Sequence, residues 1–387
     1  MAQAIPFRAG ACRHRKSVVY SIPFAPGQRV MVPLNNVGYL AELQIMLNLT
    51  LTTGTAVTPG STYDGQAAAS NFLPFINLQT PQGEQVWTTN SRDLYDFQYR
   101  LFHADQGITS AANPAAPPQF GSGNNALLAQ GGPVAFDPSY SMYVLATTTA
   151  QSIIVRYRIP VSFNDGDNFD MGLLMRQISN SQFYLTLQMA QTTDLWGNST
   201  GGTFTTATVT GSVIIEEIYY EAVANNGPVQ PPNFTNIVRL RSNQTSSLVN
   251  GLNDLRYDQG PVLTDAFIRP MNAGVADTTA PTGTVNPSNI AYIQFLANLA
   301  NEVDNRTGYR LRYDNAVHLG KALRPGVFHE DFFDDTGGGS AVNVTRMRDF
   351  INSNASSQLD FWVSYAGSPG AGSNLAVFYR EVVALGG

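Results

Sequence analysis

The chain has 387 residues, of which 43% are hydrophobic, 11% aromatic and only 13% charged, and it carries a net charge of −6. That length favours two or three domains with ordinary cores. The acidic balance excludes a general basic footprint for nucleic acid, no run approaches the ~18 apolar residues of a membrane-spanning helix, and surface polarity must come from Asn, Gln, Ser and Thr, which suits broad subunit contacts.

The N-terminus, "MAQAIPFRAGACRHRK", gathers Arg8, Arg13, Arg15 and Lys16, and no carboxylate occurs before Glu42. It has no apolar run of signal-peptide length, which predicts a product made in a cytoplasm and not secreted by a standard route. Cys12 is the only cysteine, so no disulfide can form within the chain. Residues 1–16 read as a basic arm, too short and polar to join a core.

Strand signals follow. In "YLAELQIMLNLTL" the apolar residues Tyr39, Leu43, Ile45, Leu47, Leu49 and Leu51 fall on one parity. "SRDLYDFQYRLF" fits both the helical and the strand period. A long polar stretch, 104–139, precedes "VRYRIPVSF", which sets Val155, Tyr157, Ile159, Val161 and Phe163 against Arg156, Arg158 and Ser162. "FYLTLQMA" and "LDFWVSY" alternate in the same way. These are half-buried antiparallel strands. "PSNIAYIQFLANLANEVDNRTG" carries Ile290, Ile293, Leu296, Leu299 and Val303 near helical spacing, with Ser288 as a plausible N-cap and Gly308 as a stop. It predicts a helix.

A repeat organises the chain. "MRQISNSQFYLTLQMA" begins at Met175 and "MRDFINSNASSQLDFWVSYA" at Met347. Each follows an acidic, glycine-containing loop and leads through a polar link to a closing strand, "VIIEEIYYEAV" or "NLAVFYREVVA". The prolines of 225–233 stiffen a linker between the copies and remove backbone donors. The expected organisation is an arm at 1–16, a first β-domain at 17–224, a linker at 225–233 and a second β-domain at 234–387. Successive β-domains with long loops fit sandwiches or jelly rolls.

In that order of segments the chain resembles the major capsid proteins of tectiviruses, in the double jelly-roll lineage shared with adenovirus hexon. The residues carrying the resemblance are "IIVRYRIPVSFNDGDNFDMGLL", "RQISNSQFYLTLQMA", "IIEEIYYEAV", "LRPGVFHEDF" and "LAVFYREVVA", across about residues 35–387. The likeness lies in their order and doubling. It departs at the N-terminus, where an Arg-rich arm replaces the family's Gln/Ala-rich amphipathic helix. The resemblance implies an all-β chain of two tandem eight-stranded jelly rolls with a few short helices. It implies the coat protein of an icosahedral bacteriophage, made in the host cytoplasm and resident in the virion. The implied partners are itself, as pseudo-hexagonal homotrimers that tile a shell, and penton and minor capsid proteins. An inner viral membrane lies beneath, and no cofactor or sequence-specific nucleic acid is implied. The arm would then face that membrane through Arg8, Arg13, Arg15 and Lys16, each contributing about 1 kcal/mol near an anionic surface.

No catalytic constellation emerges from the residues. "GNSTG" at 197–201 matches a nucleophile elbow, but strand-like sequence follows Ser199 where a helix is needed. His14, His103, His318 and His329 lack metal-binding spacing. Asp165, Asp167 and Asp170 share one loop without the pattern of a calcium site. Glu216 and Glu217, neighbours on a strand, point to opposite faces and cannot flank one bond. Asp334 and Asp335 beside Gly337 read as a polar tip. "GSPGAGS" at 367–373 joins two strands and opens no helix. Sequons such as Asn48, Asn198 and Asn343 carry no weight in a chain this rich in Asn and Thr. Four R-x-R pairs, at Arg156/Arg158, Arg239/Arg241, Arg310/Arg312 and Arg346/Arg348, read as solvated strand faces or an intersubunit ion-pair seam. The competing reading is a two-domain jelly-roll carbohydrate-binding or glycan-processing protein. It calls for a signal peptide, exposed tryptophans and a carboxylate pair; only Trp362, on the parity opposite Leu359, Phe361 and Val363, offers one of these.

Overall fold

The computed structural model of the chain describes residues 12–53, 62–63, 72–101, 119–120, 134–135, 141–142, 150–165, 169–172, 174–175, 182–192, 199–200, 207–222, 236–245, 247–271, 289–298, 301–319, 326–332, 351–353, 358–369 and 372–384. Two compact units form. The first comprises His14–Pro160 and Met175–Glu221; the second comprises Val161–Leu174 and Ala222–Gly387, with Met1–Arg13 grouped alongside it.

Among the described residues each unit has eight strands of four residues or more. In the first these are β1 (Cys12–Pro23), β2 (Arg29–Pro33), β3 (Tyr39–Thr53), β4 (Phe75–Gln79), β5 (Gln85–Thr89), β6 (Ala150–Pro160), β7 (Tyr184–Gln188) and β8 (Ala207–Ala222). In the second they are β9 (Asn236–Gln244), β10 (Gly251–Tyr257), β11 (Val262–Met271), β12 (Ile290–Ala297), β13 (Asn301–Arg306), β14 (Phe328–Asp331), β15 (Leu359–Tyr365) and β16 (Asn374–Ala384).

The first unit's sheets run β1-β8-β3-β6 and β2-β7-β4-β5; the second's run β9-β16-β11-β14 and β10-β15-β12-β13. Counted within its own unit, each chain segment follows the same path: first, eighth, third and sixth strands in one sheet, second, seventh, fourth and fifth in the other. Pairing first with eighth, second with seventh, third with sixth and fourth with fifth is what a long antiparallel hairpin gives when it is rolled into a two-sheet barrel. That is a jelly roll, made twice.

The alternation expected in β3 and β6 holds from Leu43 to Leu49 and from Val155 to Ile159; at the start of β3, beyond a register shift against β8, Leu40 is buried and Tyr39 only half-buried. Leu43, Ile45, Leu47 and Leu49 are buried opposite Ile159, Tyr157, Val155 and Ile153. In the second unit Leu263, Ala266, Ile268, Val377 and Tyr379 of one sheet enclose a core with Leu255, Tyr257, Ile293, Phe295, Phe361 and Val363 of the other. The repeated closing strands are β8 and β16, and the strands before them are β7 and β15.

"SRDLYDFQYRLF" is a helix, α1 (Ser91–Leu101). Asn90 caps it, its Oδ1 accepting from the Asp93 backbone N–H at 2.9 Å while its Nδ2 donates to the Asp93 carboxylate at 2.9 Å. A second helix, α2 (Gly308–Leu319), starts after Thr307, whose hydroxyl accepts from the Arg310 N–H at 3.2 Å. Each helix joins the fifth strand of its unit to the sixth. The helix expected over 288–308 does not form. The described residues among them make the paired strands β12 and β13, with Asn298 at the end of the first in the left-handed region (φ 57°), and Gly308 opens a helix where a stop was expected; Ser288 and Leu299 lie outside the described residues.

Candidate assembly surface

The outer face of the first unit's β1-β8-β3-β6 sheet carries a band of paired charge. From Glu42 to Asn48 on β3 and from Thr208 to Glu216 on β8, residues of even number point away from the core, which brings Glu42 and Gln44 of β3 beside Glu216 of β8. Lys16 of β1 pairs with Glu216 at 2.6 Å, and Gln44 Nε2 donates to Glu42 Oε1 at 2.6 Å. From the other side Arg158 of β6 donates to both Glu42 oxygens, from Nε at 2.7 Å and from Nη2 at 2.6 Å. That two-pronged bond holds the Arg158 proton above the usual guanidinium range. Arg158, 41% exposed at its side chain, is thus engaged within its own sheet, while Arg156 of the same face is exposed.

The two closing strands also share a device inside the core. Glu217 of β8 stands opposite Leu43, and Glu381 of β16 stands opposite Leu263; both glutamates are 0% exposed. Each ties down the end of the second strand of its barrel. Glu217 accepts from the Asn35 backbone N–H at 3.0 Å, just past β2. Glu381 accepts from the Tyr257 hydroxyl, the last residue of β10, at 2.7 Å and from Arg239 of β9. Burial first and the Glu381 charge second push the Tyr257 hydroxyl far above its usual range, so it remains a donor. Arg241 pairs with Asp258 and donates to the Tyr379 hydroxyl at 3.2 Å, extending the network along β9.

The remaining residues singled out in the sequence fall as follows. Arg15 and Lys16 lie within β1, not before the first strand, and Arg15 pairs with Glu221 at 3.0 Å. Arg13 also lies in β1. Arg8, residues 225–233, His103, Asp167, Asp334, Asp335, Arg346 and Arg348 lie outside the described residues. Ser199 pairs with Tyr63 in a two-residue bridge, which is not the strand-to-helix turn of an elbow. His329 is a packing histidine: its ring stacks on Phe267 at 4.4 Å, and the Asn315 side chain of α2 bonds both its backbone N–H (3.0 Å) and its carbonyl (2.7 Å). Asn164 and Asp170 face each other in a short hairpin. Glu216 and Glu217 do point to opposite faces. Among the described residues no group of three His, Cys, Asp or Glu side chains is placed to hold a metal ion.

Sequence reasoning missed the outer strands and the exposed aromatics. Val18 and Tyr20 of β1, and Tyr309 and Tyr313 on one side of α2, are large side chains left in solvent. The four-residue spacing of the tyrosines is itself a helical signal, and it lies just after the stretch that carries the expected helix.

On the second unit Asp254 of β10 faces Trp362 of β15, diagonal to the fully buried Asp360. Asp254 is exposed at the surface, and partial loss of hydration first and the Asp360 charge second hold its carboxyl above its ordinary value of 3.8. The folded chain thus binds this proton more tightly than the unfolded chain, and stability falls as pH rises through the window above 3.8. Asp254→Asn is expected to be neutral to slightly stabilising at neutral pH and indistinguishable from the parent in stronger acid. Urea midpoints at the two pH values check this, and a less stable variant at neutral pH contradicts it.

No family model matches the chain, and no curated protein sequence matches it. Its structure is similar to that of the STIV MCP, with a TM-score of 0.64 and 11% identity over 96% of this chain and 97% of that one. It is similar to the same degree, 0.64 and 11%, to a chain in the atomic structure of Sulfolobus Turreted Icosahedral Virus, covering 96% of this chain and 91% of the other. PBCV-1 VP54, fitted into a reconstruction of the virophage Sputnik, gives 0.57 and 13% over 96% and 94%. At such identities the likeness establishes the fold, the double jelly roll.

Proposed function

We propose that the chain is the major capsid protein of an icosahedral virus and that it assembles as homotrimers. The observation carrying this reading is the doubled barrel: one chain makes the same eight-strand path twice, and the structures it matches end to end are virus coat proteins. Two similar barrels per chain let three chains present six similar lobes, a shape that tiles a shell. The sparse charge and the internally paired outer face of the first sheet suit packing against neighbours. A tectivirus-like virus of bacteria, penton and minor capsid proteins, and an inner membrane reached through the N-terminal arm belong to the same proposal, on the strength of the sequence resemblance. Neither the comparisons nor the opposed Glu216 and Glu217 support the carbohydrate-binding alternative.

Light scattering and electron microscopy of the purified chain test it. The expected result is a particle of three times the chain mass with a hexagonal outline, stable at micromolar concentration, as expected for an obligate interface of more than ~2,000 Å². A monomer at that concentration overturns it.

A further inference from the structure

The connection from β9 to β10 ends in an Asn-Gly step, Asn250 and Gly251. The chain has one other such step, Asn226-Gly227, which lies outside the described residues. An asparagine before glycine has a chemistry of its own. With no Cβ in the way, the glycine nitrogen can reach the side-chain carbonyl carbon of the residue before it. Whether it does so depends on how firmly the fold holds the reacting groups. Here it leaves them open. Asn250 is exposed, beside the exposed side chain of Val249. Gly251 has φ +103°, and no atom lies within 4 Å of the place a Cβ would take. Among the described residues the Asn250 side chain makes one bond, its Oδ1 accepting from the Gly367 N–H at 3.5 Å. Asn253 is the opposite case. It is buried, its Oδ1 accepts from the Val249 N–H at 2.7 Å, and its Nδ2 donates to the carbonyls of Val249 (2.9 Å), Gly251 (3.1 Å) and Val363 (3.3 Å). Its amide cannot swing toward the main chain.

We propose that Asn250 is a site of spontaneous deamidation in the folded chain. The Gly251 nitrogen attacks Asn250 Cγ and forms a C–N bond; the side-chain amide leaves as ammonia, carrying away the Gly251 proton. The Gly367 N–H is directed at the oxygen on which negative charge gathers during that attack. Water then opens the five-membered ring at either of its two carbonyls. One opening gives aspartate. The other gives isoaspartate, with the main chain rerouted through Cβ. Either product adds one negative charge to the chain's −6. Isoaspartate also inserts a carbon into the short stretch that Asn253 clasps at both ends, at Val249 and Gly251, and so breaks the clasp. The step needs no reactant but water, and it holds whether or not the chain builds a shell.

The full folded chain, held in mildly alkaline buffer and sampled over time, tests this by peptide mapping that separates aspartate from isoaspartate. Both products are expected at Asn250, several-fold ahead of any conversion at Asn253. The rate in the folded chain is expected to fall within about tenfold of the rate in urea, because an exposed turn gives little protection. Gly251→Ala is expected to slow conversion several-fold, since its Cβ shields the attacking nitrogen. The comparison of folded parent with parent in urea does not depend on that variant folding. Conversion of Asn250 confined to urea overturns the proposal. So does conversion at an equal rate in the parent and in folded Gly251→Ala, which would mean that the Gly251 nitrogen is not the attacking group.

Discussion

Glu381→Ala is expected to destabilise the second unit by about 3–5 kcal/mol. The carboxylate is wholly buried between Arg239, 23% exposed at its side chain, and the Tyr257 hydroxyl. Removing it strands the buried Tyr257 hydroxyl and a half-buried cation, and the loss is dominated by those unpaired groups and not by the missing attraction. The control follows from the same physics. Glu381→Leu combined with Arg239→Met removes both charges and fills the space, and is expected to lose less than Glu381→Ala alone. Urea unfolding of the two variants and the parent decides it. A double variant less stable than the single one would mean that the pair contributes net attraction beyond its desolvation.

Gly211→Val is expected to cost about 3 kcal/mol or more, with strain and overpacking each contributing about 1–3 kcal/mol. Gly211 sits within β8 at φ +142°, and a Cβ there would collide with the Asn48 carbonyl oxygen and the Leu49 Cα of β3. Its own carbonyl accepts the Phe24 N–H at 2.9 Å, so the backbone cannot shift without breaking the bond that seats the chain after β1. Gly251→Ala provides the comparison. That glycine also has a positive φ, +103°, but open space where the Cβ would go, so it is expected to lose only the strain part. Equal losses at the two sites, measured by thermal unfolding, would show that crowding against Asn48 plays no part.

Much of this was readable from the residues. Strict alternation in β3 and β6, and the doubled seventh and eighth strands, located both barrels because a strand with one wet face must alternate. The hairpin at 290–306 was misread for a definite reason. Ile290 and Ile293 are three apart, as on a helix, yet both are buried in β12 because the register slips between Ile290 and Tyr292. A bulge adds a residue and so imitates helical spacing. The ion pairs were illegible for another reason. Arg158 and Glu42 are 116 residues apart, and Arg15 and Glu221 are 206 apart, so their meeting depends on the roll of the barrel and not on local pattern.

The place of β8 between β1 and β3 has a consequence in time. A ribosome has made β1 and β3 by residue 53, but the strand that joins them, Ala207–Ala222, comes only after a further stretch of chain longer than many whole domains. At roughly 5–20 residues per second, that is a wait of about 10–30 s. Until residue 160 Leu43, Ile45, Leu47 and Leu49 lack both neighbouring strands, and from then until β8 is made they have β6 on one side only, so the nascent chain must be kept from pairing with its siblings on the same messenger. Several ribosomes on one messenger bring half-made first units close together, so the yield of native barrels is expected to rise when chaperones hold that unit until Ala207–Ala222 has been made.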